Sequence, residues 1–132
     1  MELLGGIHHM QHAIQAPVGD PAWRPAVSRA VAELKAAFAE HVEATEGPAG
    51  LYAGVILDAP RLAPYLDDLV GDHRSVWTAL DELEGRLAEP REAGAEAVRR
   101  HAARLIHEVW QHRQRGADLL YEAYETDLGG ET

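Results

Sequence analysis

Residues 27–45, VSRAVAELKAAFAEHVEAT, decide the fold that the sequence predicts. Their apolar side chains recur alternately four and three residues apart, which is typical of a helix that packs in a bundle. This row of inward-facing positions, here called a seam, comprises Val27, Val31, Leu34, Phe38, His41 and Thr45. A histidine therefore occupies a position where an apolar side chain is expected.

Two further stretches repeat the pattern. One seam runs through Leu62, Leu66, Leu69, His73, Val76, Leu80, Leu83 and Leu87. The other runs through Val98, Ala102, Leu105, Val109, His112, Gly116, Leu119 and Ala123. A single seam histidine is more often a core residue bonded to a neighbour. Because an unpartnered buried imidazole costs free energy, three of them on three helices indicate one shared metal ion, with His41, His73 and His112 as candidate ligands.

Proline and glycine divide the chain into four predicted helical segments. They cover residues 3–15, 25–46, 60–88 with breaks near Pro64 and Gly71, and 92–125, and residues 51–57 are predicted to be irregular. Abundant alanine and few β-branched residues favour helix. The predicted fold class is all-α, an antiparallel up-down four-helix bundle with a short first helix and a broken third helix, in which Asp72 caps the main part of the third.

Length and charge limit the class of protein. The 132 residues predict a single domain over residues 1–132. With 22 acidic and 12 basic side chains, the formal net charge of −10 argues against nucleic acid and anionic membranes as partners. It favours a small molecule or a basic protein instead. The chain has no cysteine, which excludes disulfides and cysteine-ligated metals.

Targeting signals are not evident in the sequence. No apolar run approaches the 18 residues or so that a membrane-spanning helix needs. The start, MELLGGIHHM, lacks the basic residues and long apolar stretch of a signal peptide. We expect a cytoplasmic protein that does not insert into membranes.

The first segment carries a cluster of histidines, His8, His9 and His12. Its own apolar stripe points away from them, and a simple hairpin leaves them about 12–20 Å from His41 at 1.5 Å per residue. The connection at residues 16–24 is able to span that distance as extended chain. We expect one metal ligand from this cluster, His9 or His12. A cluster facing solvent is the alternative.

The ordered set of motifs resembles the hemerythrin-like (HHE cation-binding) family. The matching stretches are FAEHVEATE at 38–46, GLY at 50–52, LVGDH at 69–73, LIHEVWQH at 105–112 and LLY at 119–121. The resemblance implies a hemerythrin-like four-helix bundle holding non-haem iron, as a di-iron or mononuclear centre. It implies a protein that binds or senses dioxygen, nitric oxide or peroxide. Zinc suits the same histidines.

The second helix departs from the family's ligand pattern. The resemblance implies a glutamate four residues after His41, where this chain has Thr45, with Glu46 one residue later. One residue turns a helix position by about 100°, so Glu46 reaches the site only where the helix end frays or tightens. The predicted metal-ligand set comprises His9, His12, His41, Glu46, His73 and His112. It suffices for one ion and is small for two irons bridged by carboxylates.

The resemblance implies further iron ligands about one turn beyond two of the seam histidines. This chain has Trp77 and Gly116 at those positions, and neither can bind iron through its side chain. Either the indole fills the space that Gly116 leaves, or Gly116 leaves a cavity for a small ligand. These positions motivate an alternative function, a metal-depleted helical bundle acting as a binding or scaffold module, with a homodimer or another protein as its partner. A metal-dependent oxidase or hydrolase is a third hypothesis, and whether the protein is an enzyme is left open.

Overall fold

Helices make up nearly all of the chain that is described. The computed structural model describes residues 2–89 and 94–126, with side chains through residue 124. Its α-helices are α1 (Leu3–Gln15), α2 (Trp23–Glu46), α3 (Leu51–Asp58), α4 (Ala63–Ala88) and α5 (Ala95–Leu120). A 3-10 turn at Pro60–Leu62 leads into α4, and a π-helical turn at Tyr121–Thr126 follows α5. The described ranges contain no strand, so the all-α prediction is confirmed. The first helix is short, as predicted, with 13 residues against 24 in α2 and 26 in each of α4 and α5.

The predicted breaks in the third long helix are wrong, because α4 is continuous from Ala63 to Ala88. Pro64 lies in its first turn, where the missing N–H would have no helical partner in any case. A Cβ added at Gly71 would meet no atom within 4 Å, so nothing at that glycine requires a break. Asp72 consequently lies inside α4 and does not cap a helix.

The predicted irregular segment at residues 51–57 is also wrong, because it forms most of α3. This stretch contains no proline, and it buries Tyr52 and Val55, three residues apart, on one face. A helix this short is stabilised mainly by such packing. It is also too short for its apolar spacing to be recognised in the sequence. Helix α2 begins at Trp23, two residues before the predicted start, and residue 92, the predicted start of the last helix, lies outside the described residues.

Two apolar clusters form the interior. The larger joins α1, α2, α4 and α5 and includes Phe38, Val76 and Val109. The smaller joins α3, α4 and α5 and includes Leu69 and Leu119. Ten apolar seam residues that the sequence predicts to form the core are buried: Val31, Leu34, Phe38, Leu66, Leu69, Val76, Leu80, Leu105, Val109 and Leu119. Leu87, the last member of its seam, is only partly buried.

Polar contacts between α2 and α4 show how the two helices are aligned along their axes. Arg24 Nη1, at the start of α2, donates to the Leu87 carbonyl near the end of α4 at 3.1 Å. Lys35 Nζ, one-half of the way along α2, lies 2.7 Å from Glu84 Oε1. Residue numbers therefore fall along α4 as they rise along α2, and the end of α2 meets the first half of α4.

Replacing Leu80 by alanine tests the larger cluster. Leu80 is fully buried, so we expect Leu80→Ala to lower the free energy of unfolding by about 2–5 kcal/mol in urea denaturation. The control is Leu57→Ala, because Leu57 is 83% exposed, and a surface change of this kind usually stays within about 0.5 kcal/mol. Equal losses in the two variants would contradict the packing described here.

Candidate metal centre

Three seam histidines converge between the two apolar clusters. His41 lies on α2, His73 on α4 and His112 on α5, and the last two are buried. His112 Nε2 lies 3.0 Å from His41 Nε2 and 3.0 Å from His73 Nε2. One ring nitrogen from each histidine lies within 4.8 Å of the other two. The structure thus brings together the three candidates that the seams predict.

The separations between these nitrogens suit one metal ion. Imidazole nitrogens bind such ions at about 2.0–2.1 Å, so two neighbouring ones on one ion lie about 2.8–3.0 Å apart in octahedral geometry and about 3.3–3.4 Å apart in tetrahedral geometry. The two Nε2–Nε2 separations of 3.0 Å fit the octahedral range. Little movement of the side chains would be needed to seat an ion.

Carboxylates hold two of the imidazoles from behind. His73 Nδ1 hydrogen-bonds to Glu46 Oε2. His112 Nδ1 lies 3.0 Å from Asp72 Oδ2, which also accepts hydrogen bonds from Arg115 Nη2 at 2.8 Å and Arg115 Nε at 3.1 Å. A ring that donates its Nδ1–H to a carboxylate presents an unprotonated Nε2 on its other edge, and metal-binding histidines use this arrangement.

The charge states favour metal binding at neutral pH. Burial, with the nearby His112 and His73 as smaller causes, lowers the pKa of His41 to about 4. Burial also lowers the pKa of His112, although the hydrogen bond to Asp72 opposes it. Burial acts to raise the pKa of Asp72, but hydrogen bonds from His112 and Arg115 outweigh that effect and hold it below its usual range. Neutral imidazoles beside an ionised carboxylate are the forms that a metal site requires.

Aromatic rings fix the imidazoles from both sides. The Phe38 ring centroid lies 5.9 Å from His41, 5.5 Å from His73 and 6.3 Å from His112. On the other side Tyr52 stacks on His73, with centroids 6.0 Å apart and planes 12° from parallel. Close packing of this kind limits the rotamers open to the imidazoles.

The predicted ligand from the first helix does not reach the group. His9 Nδ1 lies 2.7 Å from Glu33 Oε2, with both side chains largely exposed, and His12 is also exposed. Glu33 precedes His41 by eight residues, which is about 12 Å along α2. The packing of α1 through Ile7 and its neighbours turns these histidines outward.

Glu46 lies near the group but not at the position that a ligand would take. Its carboxylate contacts Nδ1 of His73, the edge of the ring that faces away from the other two histidines. Sequence reasoning missed Asp72, which plays the same part for His112. The available signal was the adjacency of Asp72 to His73, together with Arg115 three residues after His112 on α5.

A cavity of about 240 Å³ opens beside His41 and His112. Gly116 lines it, and a Cβ added there would meet no atom within 4 Å. Trp77 packs elsewhere, against Phe38, with ring centroids 5.2 Å apart. The prediction that the indole fills the space at Gly116 is therefore wrong, and the alternative that Gly116 leaves a cavity is confirmed.

No family model, curated protein or solved structure matches this chain. Within residues 2–89 and 94–126, no helix combines the length and apolarity that crossing a membrane requires. The geometry of the three histidines and of the groups around them is therefore the basis for inferring a function.

The lowered pKa of His41 predicts how stability changes with pH. Unfolded His41 takes up a proton near pH 6.5, whereas folded His41 takes one up only near pH 4. The unfolded state thus binds more protons in this interval, so the free energy of unfolding of the metal-free protein falls as pH drops from 6.5 to 4. In His41→Gln we expect a shallower fall, measured by urea unfolding with a chelator present. The exposed His8→Gln is the control, and parallel pH profiles for parent and His41→Gln would contradict the prediction.

Proposed function

We propose that this protein binds one transition-metal ion through the Nε2 atoms of His41, His73 and His112. The observation that carries the proposal is the close approach of ring nitrogens on imidazoles whose other nitrogen contacts a carboxylate. His73 and His112 each use Nδ1 to bond a carboxylate, and their Nε2 atoms lie 3.0 Å apart. Two nitrogen lone pairs at that distance repel each other, and a cation between them turns the repulsion into attraction.

The side chains favour one ion over a pair. Two irons bridged by carboxylates, as the resemblance implies, need acidic ligands that face the cluster. Glu46 and Asp72 instead bond the outer edges of His73 and His112. Thr45 stands one helical turn after His41, where the resemblance implies a glutamate. We therefore propose a mononuclear centre.

The proposed ion is non-haem iron, in an antiparallel up-down bundle of the hemerythrin-like kind. The cross-helix contacts between α2 and α4 and the order of the histidine motifs support that fold. Three protein ligands leave a coordination position for another molecule, and the cavity beside His41 and His112 provides access to it. Dioxygen, nitric oxide or peroxide is the small molecule that we propose the protein binds or senses. Zinc fits the same three nitrogens.

A second candidate function is a metal-depleted bundle acting as a binding or scaffold module. It is favoured by exposed apolar side chains on α3, with Leu57 83% and Ile56 46% exposed. Such surface residues are typical of a protein-binding patch when they are contiguous. Under this function the chain is fully folded without metal, and neither iron nor zinc changes its melting temperature.

Metal analysis of the protein, prepared without an affinity tag that contains histidine, tests the proposal. We expect one iron or zinc per chain and a higher melting temperature with metal than with chelator. The optical spectrum of the iron(II)-loaded protein is expected to change on addition of nitric oxide. His112→Ala should abolish metal binding, whereas His107→Ala, an exposed histidine of the same helix, should retain it. Equal metal binding by both variants would exclude the proposed site.

The carboxylates behind the imidazoles predict a graded effect. Asp72→Asn and Glu46→Gln keep the size of the side chain but weaken its hold on His112 or His73. We expect each to lower metal affinity by about 10–100-fold, measured by competition with a coloured chelator. The matched controls are Asp68→Asn and Glu43→Gln, which are exposed acidic residues of the same helices. Affinities in Asp72→Asn and Glu46→Gln that match these controls would show that the carboxylates do not support the ligands.

A further inference from the structure

The cavity beside the three histidines differs in charge from the rest of this acidic protein. None of the described residues that line it is acidic, and Arg113 stands on its wall. The larger cavity of about 380 Å³, between the start of α4 and the end of α5, is lined by three acidic residues, Asp68, Asp118 and Glu122, and by two arginines. In a chain with a formal net charge of −10, the wall beside His41 and His112 thus favours anions, which the surface elsewhere repels.

The charge around a bound divalent ion is incompletely balanced. Three neutral imidazoles leave both positive charges of the ion uncompensated. Glu46 and Asp72 supply two negative charges behind the rings, but Arg115 is bonded to Asp72 and cancels one of them. One positive charge remains at the centre. A single-charged anion in the cavity would neutralise the centre.

The cavity also offers hydrogen bonding suited to an oxygen anion. Thr45 and Tyr52 both line it. Thr45 Oγ1 donates to the His41 carbonyl at 2.9 Å, which occupies its only proton. The Tyr52 hydroxyl is hydrogen-bonded with the Thr45 side chain, so its O–H donates to Thr45 Oγ1. It is the O–H of this cavity wall that can turn from a neutral acceptor to an incoming anion. Burial raises the pKa of Tyr52 to about 12, so the phenol stays protonated at neutral pH.

We infer that the centre completes its coordination with a small monocarboxylate anion from solution, which occupies the cavity between Thr45, Tyr52 and Gly116. One oxygen of an anion of the size of formate, acetate or hydrogen carbonate binds the ion. The other accepts a hydrogen bond from the Tyr52 hydroxyl, which turns away from Thr45 Oγ1 to donate it. The inference rests on the proposed metal site. It implies that the anion and the metal ion each strengthen the binding of the other, as thermodynamic linkage requires.

The test measures Zn²⁺ affinity at pH 7.5 against a coloured chelator, in sodium acetate and in sodium perchlorate of equal ionic strength. Because protein and chelator compete for the same free zinc, complexation of zinc by acetate in solution affects both equally. We expect about tenfold tighter binding in acetate, within the usual range of coupling between two ligands. Formate and hydrogen carbonate are expected to act similarly, which distinguishes a general carboxylate site from one selective for a single anion.

Two variants localise the effect. Gly116→Leu places a side chain in the cavity, because Gly116 lines it and a Cβ there would meet no atom within 4 Å. The acetate effect should then disappear. Gly85→Leu is the matched control, since Gly85 is a helical glycine with open space around it on the exposed surface, and the acetate effect should persist. Thr45→Glu supplies a carboxylate from the chain itself, so zinc should bind more tightly than to the parent in perchlorate, and acetate should add nothing.

The outcomes separate this inference from the proposed function. If the parent binds zinc equally in acetate and perchlorate, the inference is overturned while the metal site stands. If zinc does not bind in any anion, both are overturned. If Gly116→Leu retains the acetate effect, or Thr45→Glu remains dependent on acetate, the anion does not bind in this cavity and the inference fails.

Discussion

The close approach of three imidazole nitrogens is the constraint on which the rest of the structure depends. Polar rings lie where each of three seams would otherwise be apolar, between the larger and the smaller cluster. Such a layer costs free energy unless its hydrogen bonds and charges are satisfied. Glu46 and Asp72 satisfy the outer edges of two rings, while the Nε2 atoms of the three rings face one another, His112 lying 3.0 Å from each of the others. The proposed cation would be a partner that all three share.

The three histidines are not equivalent. His73 and His112 are buried and each contacts a carboxylate, whereas His41 is partly exposed and has no carboxylate contact among the described residues. His41 borders the cavity together with His112. The proposed centre therefore has two histidines held by carboxylates and one without such a contact, and the latter lies on the side of the cavity. That asymmetry favours exchange of a ligand over a closed structural site, in which the protein fills every position.

The seams made the convergence of three histidines predictable, because alternate spacings of three and four residues place every member of a seam on the packed face of its helix. The histidines of α1 were not predictable in this way, since they lie off the stripe of Leu3, Ile7 and Met10 that the helix buries. The short α3 was missed because its eight residues make about two helical turns, which is too few for a repeated spacing of apolar residues to be recognised. Position in the sequence also gave no measure of how α1 sits along α2, which the His9–Glu33 contact now defines.

Glu46 and Asp72 show why counting along a helix gives only part of a site. Glu46 lies one residue after seam residue Thr45, and Asp72 lies one residue before His73. The turn of about 100° per residue takes each carboxylate off its own seam and carries it to the outer edge of a histidine on a neighbouring helix. The rotation that argues against Glu46 as a ligand is thus the one that places it behind His73. It becomes evident only when the helices are packed.

The small residues Thr45 and Gly116 have two interpretations, loss of a site or opening of one, and the surrounding groups favour the second. If the centre had merely lost its acidic ligands, nothing would require the remaining carboxylates to orient the imidazoles. Instead, Arg115 holds Asp72 and Asp72 holds His112, so that three side chains are committed to the direction of one ring nitrogen. Ordering them costs side-chain entropy. This arrangement bears that cost, and it leaves a cavity without acidic residues in front of the ring nitrogens that it orients. Both properties are those expected of a site that takes its last ligand from solution.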